Sequence, residues 1–175
     1  MIPCLDLKGQ QAQVKKEVFE LFEKVYDNTA FSGGSFVESF ENDFAKYCET
    51  DFSIAVNNGT SALHLAMLAL GIGAGDEVII PANTFIATAW GVSYAGATPV
   101  FVDCKPDTWE IDADKIEEKI TSKTKAIIGV HLYGQPFDID DVKTIADKHN
   151  LFLVEDAAQA HGAYYKGKRV GGFGE

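Results

Sequence analysis

The sequence predicts an α/β protein with three layers, in which helices flank a mainly parallel sheet. From residue 51 onward, short β-branched or apolar runs alternate with helical segments, which is the pattern of strand–helix–strand crossover units. Two of the runs, 127–130 and 151–154, are apolar at every position. That composition is expected of strands whose two faces are both covered by helices.

Two helices are predicted ahead of the alternating region. Apolar residues at helical spacing predict the first over residues 11–26. Ser35 followed by Glu38 has the pattern of a capping box, which predicts that Ser35 caps the second helix. The alternating region then predicts strands at 52–56, 77–80, 99–102, 126–132 and 151–155, and helices at 60–70, 84–94, 112–120 and 138–149. The glycine-rich tail, 165–175, is predicted to form a pair of turns.

Composition limits the classes of partner. The 175 residues carry a net charge of −11, and no basic cluster suggests nucleic acid or anionic lipid as a partner. We find no apolar run of the roughly 18 residues that a membrane-spanning helix needs. The three cysteines are widely spaced, which favours a reducing, cytoplasmic location. The four histidines lack the spacing of metal ligands, so no metal site is predicted.

A first candidate binding segment, 57–62, lies between a predicted strand and a predicted helix. Gly59 would let a ligand approach the backbone closely, and Thr60 and Ser61 offer hydroxyls beside the free N–H groups of a helix N-terminus. This combination binds phosphate groups. A helix cap without any ligand would use the same residue types, so this alternative stays open.

Two further segments end predicted strands at the same edge of the sheet. Phe85 lies near a helix start, where an aromatic ring can stack on a flat ligand or belong to the core. Asp156 ends a buried apolar strand, where a carboxylate needs a cation or several hydrogen-bond donors. Asp156 is therefore a candidate partner for a protonated ring nitrogen, or else a cap for the turn that follows. Gln159 comes on the next turn.

Taken together, these segments resemble the DegT/DnrJ/EryC1/StrS family of pyridoxal-phosphate (PLP) aminotransferases, which act on keto sugars of nucleotide-linked substrates. The resemblance runs in order along the chain, through residues 2–7, 31–41, 58–63, 75–85, 131–136 and 155–162. It implies the large domain of PLP fold type I, aspartate aminotransferase-like and incomplete. Residues 1–175 would be the N-terminal part of that domain, with the small C-terminal domain absent.

The resemblance also implies roles for individual residues. The PLP phosphate would be held by Gly59, Thr60 and Ser61. Phe85 would stack on the pyridine ring and Asp156 would pair with its protonated nitrogen. The side chain of Gln159 would hydrogen-bond near the phenolic oxygen of the ring.

The lysine that forms the Schiff base with PLP is expected beyond Glu175. Lys166 and Lys168 come too early and lie in a glycine-rich turn, so neither is expected to take that role. No catalytic residue is therefore expected within the 175 residues, and the fragment alone is expected to be inactive.

The implied reaction is amination of a nucleotide-linked 3-keto or 4-keto deoxyhexose by an amino-acid donor such as glutamate, in a homodimer. Three alternatives stay open: a PLP-dependent keto-sugar dehydratase of the same family, a non-catalytic PLP-binding or partner-binding chain, and another PLP fold such as a desulfurase. The 131–136 and 155–161 patterns argue against the last. Because uncovered strand edges and apolar patches favour association, the isolated chain is expected to form oligomers or aggregates.

Overall fold

A four-stranded parallel sheet is the centre of the fold in the computed structural model, which describes residues 6–174. Its strands are β1 (Glu77–Pro81), β2 (Thr98–Val102), β3 (Thr124–Val130) and β4 (Phe152–Asp156), and they lie in the order β2-β1-β3-β4. All three neighbouring pairs are parallel. The carboxyl ends of all four strands therefore lie at one edge of the sheet.

Within residues 6–174, five α-helices accompany the sheet: α1 (Leu7–Asp27), α2 (Ser35–Cys48), α3 (Gly59–Ala69), α4 (Ala87–Tyr94) and α5 (Ile139–His149). Helix α4 makes the crossover from β1 to β2, and α5 makes the crossover from β3 to β4. Such crossovers are required because parallel neighbours cannot be joined by a tight turn.

The core has two parts, one on each face of the sheet, which confirms the predicted three-layer α/β class. Val78 and Ile80 of β1 pack with α3 and α4 on one face. Ile79, between them in sequence, packs with α5 on the other face. Successive side chains of a strand point to opposite faces, so a strand covered on both sides must be apolar throughout.

The tail forms a small antiparallel hairpin, β5 (Tyr164–Tyr165) paired with β6 (Lys168–Arg169). Lys166 and Gly167, the two residues between the strands, both have positive φ, at 48° and 87°. A two-residue hairpin turn of type I′ requires positive φ at both positions. Of the pair of turns predicted in the tail, the described residues show one, at Lys166 and Gly167, and it is followed by bends at 170–173.

The strand predicted at 52–56 is not formed. Phe52 and Ile54 are more than four-fifths exposed, at 85% and 82%. The structure gives this run no strand partner within residues 6–174. Its backbone bonds to side chains instead: the Ala55 N–H donates to Glu41 Oε1 at 2.8 Å, and the Phe52 carbonyl accepts from the Thr50 hydroxyl at 3.0 Å. A β-branched, aromatic run fits a pleated and half-buried surface, and without a neighbouring strand it does not become one.

The helix predicted at 112–120 is replaced by two 3₁₀ turns, at Ala113–Lys115 and Glu117–Lys119. The buried apolar positions in this segment, Ala113 and Ile116, are three residues apart, and Ile120 is half-buried. A spacing of three matches the repeat of a 3₁₀ turn as well as it matches one edge of an α-helix. The step from Ile116 to Ile120 has helical spacing, but the backbone at Ile120 is extended, with φ of −72° and ψ of 128°.

The capping box predicted at Ser35 and Glu38 is also wrong by one residue. Helix α2 begins at Ser35, and its N-cap is Gly34, with no side-chain hydrogen bond to the cap. The Gly34 carbonyl already accepts a hydrogen bond from the Glu38 N–H, at 3.1 Å. Ser35 is thus inside the helix, where its hydroxyl cannot act as the cap.

Candidate active site

Five of the six residues predicted to hold a cofactor line one cavity at the carboxyl edge of the sheet. The cavity has a volume of about 190 Å³ and its walls come from the start of α3, the loop after β1 and the end of β4. The predicted residues in its lining are Gly59, Thr60, Phe85, Asp156 and Gln159. Ser61 is not part of the lining.

The N-terminus of α3 forms the first wall. Asn58 is the N-cap, and its Oδ1 accepts a hydrogen bond from the Ser61 N–H at 2.8 Å. The N–H groups of Gly59 and Thr60 have no such partner within residues 6–174. No atom would lie within 4 Å of a Cβ on Gly59, so this end is open. The helix cap and an anion-binding site are therefore compatible, because the cap uses the N–H of Ser61 and leaves those of Gly59 and Thr60 for an anion.

Asp156 lies half-buried at the end of β4 with a donor on each carboxylate oxygen. The Thr88 hydroxyl donates to Oδ2 at 3.1 Å, and the Ala158 N–H donates to Oδ1 at 3.2 Å. The bond from Ala158 is the local cap of the following turn, which the sequence analysis gave as the alternative role of Asp156. Each oxygen keeps room for a further donor, so the carboxylate is oriented but not saturated.

Sequence reasoning missed Thr88, which is fully buried within α4. Its hydroxyl also lies 2.9 Å from that of Thr84. Thr84 and Thr88 are four residues apart, a spacing that places side chains on one face of a helix. The sequence signal that could have revealed Thr88 is this pair of hydroxyls, four residues apart, at the start of an apolar helix.

The ring of Phe85 is exposed rather than buried in the core. Its exposed fraction is 66% and it forms part of the cavity wall. The predicted helix 84–94 begins only at Ala87, so Phe85 lies in the turn that leads into α4. Being outside the helix leaves the ring face free for a flat ligand.

The orientation of the Gln159 side chain is set by a neighbouring loop. Its Oε1 accepts a hydrogen bond from the Tyr133 N–H at 2.8 Å. Tyr133 has φ of 55°, an uncommon conformation for a residue with a side chain. With the oxygen committed, the NH₂ group of Gln159 is the part left to donate, since the structure describes no acceptor for it in residues 6–174.

Comparison with known proteins decides the family. The model of the DegT/DnrJ/EryC1/StrS aminotransferase family matches residues 12–175. The chain belongs to this family. It is 49% identical to the dTDP-3-amino-3,6-dideoxy-alpha-D-galactopyranose transaminase of Aneurinibacillus thermoaerophilus, over 100% of this chain and 48% of that protein.

Solved structures agree with the family assignment. The crystal structure of DesV from S. venezuelae is 47% identical, with a TM-score of 0.95 over 98% of this chain and 46% of that one. The PLP form of Spr1654 from Streptococcus pneumoniae is 35% identical, with a TM-score of 0.81 over 87% of this chain and 44% of that one. The fold is thus part of the aminotransferase α/β fold. The chain spans about half the length of the curated relatives it matches.

Behind the cavity of this DegT/DnrJ/EryC1/StrS family member, Glu155 makes a buried pair with His131. His131 is fully buried, its ring stacks on Phe137 with centroids 4.6 Å apart, and its Nε2 lies 3.0 Å from Glu155 Oε2. A carboxylate only accepts, so Nε2 carries the proton. The backbone N–H of His131 also donates to the Asp156 carbonyl, at 3.1 Å.

Glu155 receives three further hydrogen bonds, from the backbone N–H groups of Gly171, Phe173 and Gly174. Burial by itself would raise the pKa of Glu155. The hydrogen bonds from His131 and the three backbone groups outweigh that effect and lower the pKa below its ordinary value. Glu155 is therefore an ionised carboxylate with four donors.

None of the lysines in residues 6–174 lines the cavity. Lys166 forms an ion pair with Asp140, and Lys168 donates to the Gly172 carbonyl and lies over the ring of Phe173. In the same residues, none of the helices combines the length and apolarity needed to cross a bilayer. The described part of the chain also holds no cluster of metal-ligating side chains.

Proposed function

We propose that the protein is a PLP-dependent aminotransferase that transfers an amino group from an amino acid such as glutamate to a nucleotide-linked keto deoxysugar. One observation carries the proposal: Asp156 is oriented by two donors in a cavity that also presents an open helix N-terminus and the exposed ring of Phe85. Family membership and the names of the relatives support it.

The residues present fit the chemical groups of PLP one by one. An anionic phosphate suits the unpaired N–H groups of Gly59 and Thr60 at the positive end of α3, with the hydroxyls of Thr60 and Ser61 as further donors. The face of Phe85 suits the flat pyridine ring. The NH₂ group of Gln159 suits the phenolic oxygen. When bound, PLP supplies an electron sink for the carbanion that transamination requires.

Asp156 has the most demanding role in this arrangement. Its carboxylate would hold a proton on the ring nitrogen through a charge-assisted hydrogen bond, which is about twice as strong as a neutral one. The bonds from Thr88 and Ala158 keep the carboxylate from rotating away. We therefore assign it to orienting and charging the cofactor ring rather than to proton transfer with the substrate.

The Schiff-base lysine and the small C-terminal domain are placed outside residues 1–175 in this proposal, and residues 1–175 are assigned to the N-terminal part of the large domain.

A homodimer is proposed as well. Its support is that α3 and α4 expose large apolar side chains, Leu65 and Leu68 on α3 and Trp90 and Tyr94 on α4. Burying these side chains against a second copy would remove them from water. Because Cys48 and Cys104 are both free thiols, we propose the reducing cytoplasm as the location.

Cofactor binding is tested by titrating the chain with pyridoxamine 5′-phosphate (PMP). PMP has no aldehyde, so it cannot form imines with surface lysines. We expect saturable binding that Asp156→Asn weakens roughly tenfold or more, because a charge-assisted hydrogen bond is lost. The control is Asp141→Asn, an exposed position on α5. Absent binding, or binding unchanged by Asp156→Asn, would refute the proposal.

The reaction itself is tested in the holoenzyme with glutamate and a nucleotide-linked 4-keto deoxyhexose. Formation of an amino sugar, detected by mass spectrometry, is the expected result. Loss of water from the sugar without amination would instead indicate the dehydratase.

A further inference from the structure

Adjacent carboxylates at the end of β4 face opposite sides of the sheet. Val154 packs with the core on the α3 and α4 face, and Asp156, two residues later, meets Thr88 of α4 on that same face. Leu153 packs with the core on the α5 face, and Glu155 follows it there. Glu155 is not part of the lining of the 190 Å³ cavity, but it lines an adjoining cavity of about 560 Å³ together with Gly59 and Asp156. Its side chain is only 3% exposed.

The four donors on Glu155 are divided evenly between its two oxygens. Oε2 accepts from His131 Nε2 at 3.0 Å and from the Gly171 N–H at 2.8 Å. Oε1 accepts from the Phe173 N–H and, at 2.8 Å, from the Gly174 N–H. Only an ionised carboxylate can accept on both oxygens without presenting a hydrogen of its own. An amide of the same shape would turn an NH₂ group toward two of these donors.

These contacts clamp the end of β4 from two directions. His131, just beyond the end of β3, holds Glu155 through its ring and the Asp156 carbonyl through its N–H. The segment 171–174 holds Glu155 from the other side, and it is packed closely against β4. A Cβ on Gly174 would lie 2.3 Å from the Leu153 carbonyl oxygen.

We propose that Glu155 is a positioning residue that fixes the direction in which the neighbouring Asp156 carboxylate meets the ring nitrogen of the cofactor. The inference rests on the proposed function, because it concerns the same cavity. It adds a residue that acts on the cofactor through Asp156.

The physical reason is the narrow geometry of a hydrogen bond. Such bonds weaken steeply when the donor angle falls or the distance grows. A strand end released by the loss of its donors can shift by a fraction of an ångström, and small misplacements at a reacting centre have large effects. The phosphate end of the cavity belongs to α3, which Glu155 does not contact through any described hydrogen bond.

The experiment compares two ligands that differ only at the ring nitrogen: PMP and its 1-deaza analogue, in which that nitrogen is a C–H group. The ratio of their dissociation constants reports how well Asp156 engages the ring nitrogen. A loss of folded protein lowers both affinities equally and leaves the ratio unchanged. The ratio therefore separates positioning from a merely structural role.

Wild-type chain is expected to prefer PMP by roughly tenfold or more, as for a charge-assisted hydrogen bond. Glu155→Gln is expected to reduce the preference to less than about threefold, through weaker PMP binding and not through stronger binding of the analogue. The matched control is Glu110→Gln. Glu110 is another buried glutamate. In the described structure its side chain accepts one hydrogen bond, from Gln135 Nε2 at 2.9 Å, and has no hydrogen bond to β4.

A second variant covers the case in which Glu155→Gln does not fold. His131→Phe keeps a ring to stack on Phe137 and keeps the backbone bond to Asp156, but it removes the ring donor to Glu155. It is expected to lower the preference by at least threefold.

The outcomes separate the two proposals. If wild-type chain binds PMP and the analogue equally, the proposed role of Asp156 fails and the positioning role fails with it. If wild-type chain prefers PMP and a folded Glu155→Gln or His131→Phe variant keeps that preference, the positioning role alone is wrong. If the preference falls in both variants and stays in Glu110→Gln, Glu155 positions Asp156.

Discussion

Thr88 is the single side chain that ties helix α4 to the carboxylate in the cavity. It is fully buried, and its hydroxyl donates to Asp156 Oδ2 at 3.1 Å. A buried hydroxyl in a helix adds little to helix formation, since threonine is a poor helix former. Its presence is explained by the donor that it gives to Asp156.

Thr88→Val tests this assignment, because valine has nearly the same shape and lacks the hydroxyl. Losing one hydrogen bond of about 1 kcal/mol predicts PMP binding weaker by roughly threefold to tenfold. Fluorescence titration measures it. Thr98→Val, at an exposed position at the start of β2, is the control and is expected to bind as wild type. Unchanged PMP affinity in Thr88→Val would show that the Thr88 hydroxyl does not contribute to cofactor binding.

Tyr133 holds the Gln159 amide through its backbone while its own side chain is 85% exposed. Its φ of 55° costs about 1 kcal/mol for a residue with a Cβ. Tyr133→Gly keeps the N–H, removes that strain and loses little packing. We expect the free energy of unfolding in urea to rise by about 0.5–1 kcal/mol. A fall in the free energy of unfolding of more than 1 kcal/mol would instead show that contacts of the tyrosine ring stabilise the fold.

At the scale of elements, the start of α3 combines a cap with an open binding end. Asn58→Ala removes the acceptor of the Ser61 N–H and is expected to lower the free energy of unfolding by about 1 kcal/mol. Urea denaturation of the variant beside Asn57→Ala, an exposed neighbour that does not cap, measures the difference. Equal losses in the two variants would show that the cap is not stabilising.

The end of β4 should make stability depend on pH in the acid range. The pKa of Glu155 is lowered in the folded chain, so its ionised form stabilises the fold at pH values above its ordinary value of 4.5. That contribution is lost as the pH falls through the lowered pKa. The titratable side chain bonded to it in the described structure is His131.

Glu155→Gln should therefore be less stable than wild type by about 2 kcal/mol at pH 7, and the difference should shrink steadily below pH 4.5. Chemical denaturation from pH 7 to pH 3 measures the trend. A difference that stays constant, or that grows toward acid, would show that the carboxylate is not ionised by its donors.

The elements that sequence predicted well are those whose pattern matches their final surroundings. Strands apolar on both faces, such as 127–130, were read correctly because helices do cover both sides. The strand expected at 52–56 was wrong because its pattern assumes a neighbour that the described residues do not supply. The helix expected at 112–120 was wrong because the spacing of Ala113 and Ile116 also fits a 3₁₀ turn and the chain is already extended at Ile120.

For the whole molecule, the most unusual surface is that of α1. This helix of 21 residues has no buried residue, although Phe19 and Phe22 are large and apolar. Exposed apolar patches of this kind mark association surfaces. We expect the isolated chain to self-associate, and light scattering as a function of concentration measures it.

A Phe19→Ser, Phe22→Ser double variant should associate less and unfold at the same temperature as wild type. Both rings are already more than three-fifths exposed, so their removal takes nothing from the core. A wild-type chain that is a clean monomer would contradict this prediction.

The location of the cavity follows from the arrangement of the entire sheet. This is why the location could be predicted from the sequence. Parallel strands bring the segments after each carboxyl end to one edge, so Phe85 and Asp156 could be assigned there without a structure. Gly59 was assigned there from a strand that is not formed, and it reaches this edge as the first residue of α3. The side chains that form hydrogen bonds with the end of β4 could not be predicted. Thr88 and His131 each meet β4 through a side chain whose direction depends on packing, and residue type alone does not reveal it.

The strand order β2-β1-β3-β4 also has a consequence for synthesis. The cavity needs both α3 and the end of β4, and β4 leaves the ribosome only after β1, β2 and β3 and pairs with β3 in the described structure. Parallel strands far apart in sequence pair slowly, because a long loop must close first. While β1, β2 and β3 are being synthesised, the growing chain thus has a helix N-terminus for the phosphate and no carboxylate for the ring nitrogen. Affinity for the cofactor should therefore rise abruptly once β4 joins the sheet.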